Sequence, residues 1–199
     1  MSPIQHLSKD KLLAKIIDKK NPIKLTTEKN IYLTLCFSIM SQQLSTKVAA
    51  IIHERFLALY KNKKPSLQQI TSTPFSVLKS IGLSDSKTNY LLNVCDYFIA
   101  NKLTDSKLHK ISDENIIEML TQIKGVGRWT SEMVLMFSMG REDIFAVDDL
   151  GIQQQMCKLY NIDMASKKEM KLKMQQVAEN WKPYRTYACR YLWGWKDAN

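Results

Sequence analysis

The chain has 199 residues, enough for one domain or for two small helical lobes, and its 45% hydrophobic and 24% charged residues are typical of a folded globular protein. Six glycines and five prolines are few for this length and disfavour a loop-rich all-β fold. The 29 lysines and arginines outnumber the 19 aspartates and glutamates and give a net charge of +10. This excess indicates a polyanionic partner such as nucleic acid, or else a basic surface that only keeps the protein soluble.

The cysteines and the apolar runs exclude several further classes of protein. Cys36, Cys95, Cys157 and Cys189 lie far apart without a C-x-x-C spacing, so the sequence predicts reduced, buried thiols and neither a zinc site nor an iron–sulfur cluster. The first residues lack the apolar core of a signal peptide, and no run approaches the roughly 18 apolar residues of a membrane span. We therefore expect a soluble, intracellular protein.

The first half of the chain has the apolar periodicity of helices. Residues 8–20 predict a short amphipathic helix, and residues 31–60 predict two helices interrupted near the polar segment SQQLS at residues 41–45. Residues 73–100 predict a helix, a tight turn and a second helix, with Gly82 ending the first.

The second half continues the same pattern. A helix is predicted over residues 111–123, and four more follow at residues 129–139, 149–160, 166–181 and 184–193. No segment shows a convincing period-two alternation of a strand. The predicted fold class is therefore all-α.

Two glycines interrupt the helical pattern in LTQIKGVGRWTSEMVLMF, residues 120–137. Glycine at positions 125 and 127 allows a positive φ and lets another backbone approach closely. A helix that restarts at once points its first N–H groups and the positive end of its dipole at one spot, where a phosphate fits. Arg128 adds a positive charge there. An ordinary glycine-capped connection between two helices is the alternative interpretation.

Four segments in one order carry a resemblance to a known family. They are SIMSQQLSTKVAAIIHERFLALY, LTQIKGVGRWTSEMVLMF, DIFAVDDLGIQQQM and NWKPYRTYACRYLWGW. Together they resemble the helix-hairpin-helix DNA glycosylase superfamily, and within it the 3-methyladenine DNA glycosylase II (alkylbase DNA glycosylase) branch, over about residues 31–195. The resemblance implies a single domain, residues 1–199, of two helical lobes with a DNA-binding cleft between them. One lobe would hold about residues 35–140 and the other residues 1–34 with 141–199, without a separate N-terminal β-domain.

The resemblance implies a monofunctional DNA glycosylase of base-excision repair. Such an enzyme flips an alkylated purine, for example 3-methyladenine, out of duplex DNA and hydrolyses its N-glycosidic bond, which leaves an abasic site. Positive charge develops on the sugar during this cleavage, and a fixed carboxylate stabilises it. Asp148 and Asp149 are the candidates, and the family pattern places the catalytic carboxylate at Asp149 with Asp148 capping or supporting. The alternative is that both only cap the following helix.

The resemblance also implies a pocket for the flipped base. Trp129 occupies the hairpin position where bifunctional members carry a lysine that forms a Schiff base, so strand cleavage is not expected. Trp129 and Trp193 match pocket aromatics of the alkylbase branch, whose indole faces attract cationic alkylated purines; core packing is the alternative. Met133 and Leu150 stand where some relatives have pocket tyrosines.

Further residues are implied in holding DNA. Gln42 and Gln43 either fill the gap left by a flipped base or act as polar caps at a helix end. The other predicted DNA contacts are Lys124, Gly125, Val126, Gly127, Arg128 and Thr130. Two roles stay open for Tyr184, Arg185 and Tyr187: binding phosphate, or supporting the segment that carries the aspartates. The family further implies a sodium or potassium ion on the backbone carbonyls of Thr121, Ile123 and Val126, with no other cofactor.

The expected partner is double-stranded DNA containing alkylated bases, bound by a monomer without any membrane association. The expected location is the cytoplasm, at the bacterial nucleoid, or the nucleus if the source is eukaryotic. Two other functions stay open: a non-catalytic helix-hairpin-helix DNA-binding protein, and a glycosylase for other damaged bases. Asp149 argues against the first because a carboxylate repels phosphate, and Trp129 in the lysine position argues against the second.

Overall fold

The structure is a computed structural model that describes the backbone of residues 1–197. Every regular element in that range is helical, which confirms the all-α prediction. The α-helices are α1 (Pro3–Leu7), α2 (Ile31–Ser41), α3 (Thr46–Ala58), α4 (Leu67–Thr71), α5 (Phe75–Ser80), α6 (Asp85–Ala100), α7 (Asp105–Leu108), α8 (Asp113–Thr121), α9 (Arg128–Met133), α10 (Leu150–Tyr160), α11 (Lys167–Glu179) and α12 (Arg185–Asp197). A 3₁₀ turn at Leu13–Lys15 and a π-helical turn at Val134–Ser138 accompany them. Within this range no helix has both the length and the apolar character needed to cross a bilayer.

The chain divides into two compact units. Glu28–Val134 form one, which we call the hairpin unit; Met1–Thr27 and the chain from Leu135 onward form the other, which we call the aspartate unit. The sequence places the boundaries near residues 34 and 140, whereas the structure changes unit after Thr27 and after Val134.

The hairpin unit is built around α2 and α6. Helix α2 packs against α3 and α6, while α4 and α5 pack against α6, and α8 packs against α9. The facing side chains of α2 and α6 are fully buried, among them Leu35, Ile39, Leu91 and Val94. Burying each such side chain contributes about 1.5–3 kcal/mol, so these two helices form the rigid centre on which the unit's loops are mounted.

Serine caps fix where the helices of this unit begin. The hydroxyl oxygens of Ser45, Ser66, Ser84 and Ser112 each accept a hydrogen bond from the backbone N–H three residues later. Each cap satisfies an N–H group that has no partner inside the helix, and its loss costs about 1 kcal/mol.

In the aspartate unit, α10 packs against α11 and α12. The half-buried Asp10 carboxylate joins this core to the N-terminal segment, because its Oδ2 accepts hydrogen bonds from the Tyr160 hydroxyl at 2.6 Å and from Trp181 Nε1 at 3.0 Å. Burial alone raises the pKa of Asp10, but these two bonds and two backbone amides outweigh burial and lower it. The same burial and hydrogen bond raise the pKa of Tyr160.

The prediction of a helix over residues 8–20 is wrong. The structure has α1 at Pro3–Leu7, started by Ser2, and then only the short 3₁₀ turn. Asp10 explains the difference, because its Oδ1 accepts hydrogen bonds from the N–H groups of Leu12 and Leu13. A side chain that captures backbone donors in this way competes with the helical hydrogen-bond ladder.

Candidate active site

The hairpin, residues 122–127, connects α8 to α9 and leaves the N-terminus of α9 without a side-chain cap. Gly127 is the N-cap of α9 with φ −95° and ψ 171°, and it offers no side-chain oxygen to the first N–H groups of the helix. A Cβ at this position would meet nothing within 4 Å among the described residues. Because the first N–H groups of a helix have no helical partner and carry the positive dipole end, this arrangement suits an anion such as phosphate.

Gly125 is required by the turn itself. Its φ is +104°, a conformation that side chains rarely adopt, and a Cβ would lie 2.3 Å from Cγ of Tyr90 on α6. The neighbouring carbonyl of Lys124 accepts a hydrogen bond from Asn93 Nδ2, also on α6, at 3.2 Å. Helix α6 therefore supports the hairpin from behind.

The residues after Gly127 differ in what they expose. Val126 and Thr130 are buried, so their side chains are not exposed to a ligand, and the Val126 N–H donates to the Ile123 carbonyl. Arg128 Nε donates to Oε1 of the buried Glu132 at 2.9 Å, which directs the guanidinium along the helix. Trp129 has 44% of its surface exposed, whereas Met133 is half-buried.

The loop between α2 and α3, residues 42–45, is called the wedge loop below. The Gln42 side chain is half-buried, and its Nε2 donates to the carbonyl of Gly125 at 3.3 Å. Gln43 is exposed and has a φ of +58°, which is uncommon for a residue other than glycine. The two glutamines therefore differ: Gln42 is bound to the hairpin, and Gln43 is presented to the surroundings.

In the aspartate unit, Asp149 is the N-cap of α10. Its Oδ1 accepts hydrogen bonds from Ile152 N–H at 2.8 Å and from the indole Nε1 of Trp193 at 2.9 Å. A Cβ on Gly151 would lie 3.1 Å from that oxygen and 3.3 Å from Trp193 Cδ1, so glycine permits this close approach. The two donors hold the carboxylate in one orientation at the start of α10.

Asp148 has a different role. It is exposed and forms an ion pair with Lys171 on α11. Of the two carboxylates, Asp149 is therefore the one that caps α10 and accepts the Trp193 indole, so the expectation that Asp148 caps this helix is wrong.

The aromatic surroundings of Asp149 include a residue that the sequence analysis missed. The rings of Trp193 and Phe137 are stacked, with centroids 5.7 Å apart at 29°, and the Arg190 guanidinium lies 5.6 Å from the Phe137 centroid. Phe137 is 41% exposed and Leu150 is 62% exposed. Phe137 follows the π-helical spacing of residues 134–138, which a search for 3.6-residue periodicity does not detect.

Side chains at the start of α12 support the segment that leads to Asp149. Arg185 Nε and Nη2 donate to the two carboxylate oxygens of Asp143 at 2.7 and 3.0 Å. The Tyr187 hydroxyl donates to Glu142 at 2.8 Å, and burial together with this bond raises the pKa of Tyr187 to about 12. Of the two roles left open, Arg185 and Tyr187 thus support the aspartate segment, while the Tyr184 hydroxyl donates to the Met1 carbonyl.

Side chains and backbone carbonyl oxygens are the two kinds of group that could hold a metal ion in this protein. Among the side chains that the structure describes, no three of His, Cys, Asp or Glu lie together as a metal site, and the four cysteines are buried and not joined by disulfides. The predicted sodium or potassium ion needs neutral oxygens instead. Thr121 is the last residue of α8, so its carbonyl lacks a helical partner, and the Ile123 carbonyl accepts a hydrogen bond from the Val126 N–H at 2.9 Å. These oxygens fit such an ion in type, and the ion stays a prediction.

The sequence and the fold of the chain are similar to those of known proteins. Residues 36–182 match the HhH-GPD superfamily base excision DNA repair proteins. The chain is 34% identical over 185 residues to DNA-3-methyladenine glycosylase 1 of Schizosaccharomyces pombe, covering 92% of this chain and 80% of that protein. Its fold is similar to that of a DNA-3-methyladenine glycosidase from Bacillus halodurans, with a TM-score of 0.85, 33% identity, and coverage of 97% and 88%. It is also similar to the S. pombe 3-methyladenine DNA glycosylase Mag1 in complex with abasic DNA, with a TM-score of 0.83, 32% identity, and coverage of 99% and 97%.

Proposed function

The chain belongs to the HhH-GPD superfamily of base excision DNA repair proteins, and on that basis we propose that it is a DNA glycosylase that removes alkylated bases from duplex DNA. The observation that carries the proposal is the Asp149 carboxylate, fixed at the start of α10 by a backbone amide and the Trp193 indole. In a protein that only bound DNA, this carboxylate would cap α10 but would also repel phosphate, which an uncharged cap would not do.

Asp149 supplies the charge that the reaction needs. When the bond between C1′ and the base breaks, its electron pair leaves with the base and positive charge develops on the sugar. The fixed carboxylate stabilises that charge without reorganising, so it binds the transition state better than the ground state. Water then forms the new bond to C1′ and releases its proton. An N-alkylated purine is already cationic and therefore leaves as a neutral base.

Trp129 makes the proposed reaction a hydrolysis without strand cleavage. An indole cannot form the Schiff base through which a lysine opens the sugar, so the product is an abasic site in an intact strand. Its exposed face attracts a cationic purine by about 0.5–2 kcal/mol. Trp129 and Met133 remain the proposed base contacts of the hairpin unit, and Leu150 and Trp193 those of the aspartate unit.

The proposed DNA contacts are backbone groups of the hairpin and the side chain of Gln43. The N–H groups that follow Gly127 bind phosphate, which holds the duplex without reading its sequence. Gln43, exposed at the tip of the wedge loop, fills the space of the extruded nucleotide. We propose that the protein acts as a monomer on the chromosome, in the nucleoid or the nucleus.

Incubation with methylated duplex DNA tests this function directly. We expect mass spectrometry to detect free alkylated purines, with 3-methyladenine among them, and the DNA strands to remain intact until alkali is added. Binding without any released base would favour the non-catalytic alternative. Release of bases from a parallel oxidised duplex, but not from the methylated one, would favour a glycosylase of another specificity. A protein–DNA adduct trapped by borohydride would overturn the assignment of Trp129.

A further inference from the structure

Lys87, on the first turn of α6, holds the end of α2. Its Nζ donates to the carbonyl of Gln42 at 2.6 Å and to the carbonyl of Met40 at 3.1 Å. Carbonyl groups at a helix C-terminus have no helical partner and carry the negative end of the dipole, so an ammonium group there is doubly favoured. The side chain is half-buried, and this desolvation lowers the pKa of Lys87.

Gln42 extends this contact to the hairpin. Its carbonyl accepts the Lys87 ammonium, while its side-chain amide donates to the carbonyl of Gly125 at 3.3 Å. Tyr90 and Asn93 follow Lys87 at three-residue spacing on α6; Tyr90 packs against Gly125, and Asn93 bonds to the Lys124 carbonyl. One face of α6 therefore contacts both the wedge loop and the hairpin.

The Lys87 contact also fixes the peptide on which Gln43 depends. The carbonyl of Gln42 belongs to the peptide bond that joins Gln42 to Gln43, and Gln43 has the uncommon φ of +58°. A left-handed conformation of a residue other than glycine costs about 1–3 kcal/mol and persists only when its surroundings enforce it. Gln43 is the third residue of a turn that the Leu44 N–H closes on the Ser41 carbonyl at 3.1 Å, and the Lys87 ammonium group binds the carbonyl of the middle peptide of that turn.

We propose that Lys87 is a positioning residue for Gln43. Its ammonium group holds the wedge loop in the conformation that presents Gln43 to the duplex, and through Gln42 it links that loop to the phosphate-binding hairpin. This inference rests on the proposed glycosylase function. A wedge that is ordered before binding does not have to be ordered while a base is being extruded, so more of the binding energy is available for unstacking.

The test compares Lys87→Met with Lys107→Met. Lys107 is exposed on α7, and its Nζ donates to the Lys102 carbonyl at 2.9 Å, so this control loses the same charge and a similar bond elsewhere in the hairpin unit. Single-turnover excision is measured for one alkylated base in a fully paired duplex and for the same base opposite an abasic site, where less unstacking is needed. We expect Lys87→Met to excise the base about tenfold more slowly from the paired duplex only. A factor of this size corresponds to the loss of one charge-assisted hydrogen bond. Lys107→Met should match the wild type on both, and Lys87→Arg should recover most of the rate.

Hydrogen exchange provides a readout that does not depend on catalysis. We expect the amides of residues 42–46 to exchange faster in Lys87→Met and to be unchanged in Lys107→Met. If the wild type released no base, the proposed function would fail, and exchange would still decide whether Lys87 orders the loop. Should Lys87→Met fold poorly, Gln42→Leu breaks the link to Gly125 without removing the lysine and should show the same preference for the unpaired substrate.

Two results would overturn the inference. Lys87→Met could be slowed equally on both substrates, with a salt slope of DNA binding that corresponds to about one phosphate contact fewer. That result would make Lys87 a direct phosphate contact. Unchanged excision on both substrates, whatever the exchange rates, would leave Lys87 with a role in stability alone.

Discussion

The hairpin unit and the aspartate unit present opposite chemistry. In the hairpin unit the candidate groups are backbone N–H donors after Gly127 and a loop that exposes Gln43, and the one acid of α9, Glu132, is buried. In the aspartate unit the central group is a carboxylate, held by a backbone amide and the Trp193 indole. This difference separates two tasks, holding a polyanion and stabilising a cation, that one cluster of side chains would perform poorly together. Substitutions that block the N–H donors after Gly127 should therefore change DNA affinity, and substitutions at Asp149 or Trp193 should change the rate of base release.

A second comparison, inside the hairpin unit, explains how donors are kept available. The turn before α6 and the turn before α9 both contain a glycine with positive φ, +109° at Gly82 and +104° at Gly125. Two residues later, Ser84 caps α6 with its own hydroxyl, whereas Gly127 offers no side-chain cap. The same backbone turn is therefore closed by serine in one place and left open for a ligand by glycine in the other.

The largest effect is expected for Asp149→Asn, which should slow base release by about a hundred- to a thousandfold. Asparagine is as good an N-cap as aspartate, so α10 should still form, and affinity for DNA should be kept or increased because a negative charge is lost. Asp148→Asn is the control, since its exposed ion pair with Lys171 is worth at most about 1 kcal/mol. Single-turnover rates and dissociation constants on one duplex separate the two effects. If Asp149→Asn released the base at the wild-type rate and Asp148→Asn were inactive, the assignment of the two carboxylates would be reversed.

Gly127→Ser should lower affinity for damaged and undamaged duplex alike, by about tenfold, because its hydroxyl would cap α9 and obstruct the phosphate. Thermal stability should not fall, since a Cβ there meets no described atom within 4 Å. The reciprocal change, Ser84→Gly, should leave DNA affinity unaltered and reduce stability by a few tenths of a kcal/mol. Titrations over a salt series measure both. Wild-type affinity for Gly127→Ser throughout the series would mean that the hairpin is only a connection.

Trp193→Phe should slow base release by roughly three- to tenfold, the loss of one hydrogen bond to a charged group. The phenyl ring can keep the stack on Phe137 but cannot donate to Asp149 Oδ1. Affinity for undamaged duplex should stay the same, in contrast to Gly127→Ser. The measurement is again the single-turnover rate beside the dissociation constant, and a fall in affinity with an unchanged rate would contradict the separation of the two units.

The smallest effect concerns acid stability, where the two units should respond at different pH. Burial lowers the pKa of His53 below its ordinary 6.5, although a bond to the Phe37 carbonyl opposes the shift. The unfolded chain therefore binds a proton first, and this part of the stability is lost as the pH falls from about 7 to 5. The pKa of Asp10 is lowered from 3.8, so its contribution is present above that value and lost only below it. Urea unfolding from pH 7 to 3 should show the first loss in wild type and less of it in His53→Gln; an identical pH dependence in the variant would contradict the assignment.

The parts of the site predictable from sequence are those with local signals. The glycines of the hairpin follow from short-range rules for helix ends. The same rules allowed either aspartate to cap α10, and the capping role expected for Asp148 falls to Asp149 in the structure. The sequence did not reveal the role of Lys87 or the hydrogen bond from Trp193 to Asp149, because in each case the partner is more than 40 residues away. It did not reveal Phe137 because that residue lies in a π-helical turn. Residues 8–20 have helical periodicity but are not helical, because Asp10 captures the local amides and faces Tyr160 and Trp181 from the far end of the sequence.

The Asp10 contacts also bear on the order in which the protein forms during synthesis. The hairpin unit is one contiguous stretch, Glu28–Val134, so all its contacts are available before the rest of the chain has emerged from the ribosome. The aspartate unit cannot be completed until Trp181 arrives, some 170 residues after the carboxylate that it must meet. Domains generally fold as units during synthesis, and contacts between distant residues form slowly. We therefore expect the nascent chain to acquire its DNA-holding half first and its chemistry last.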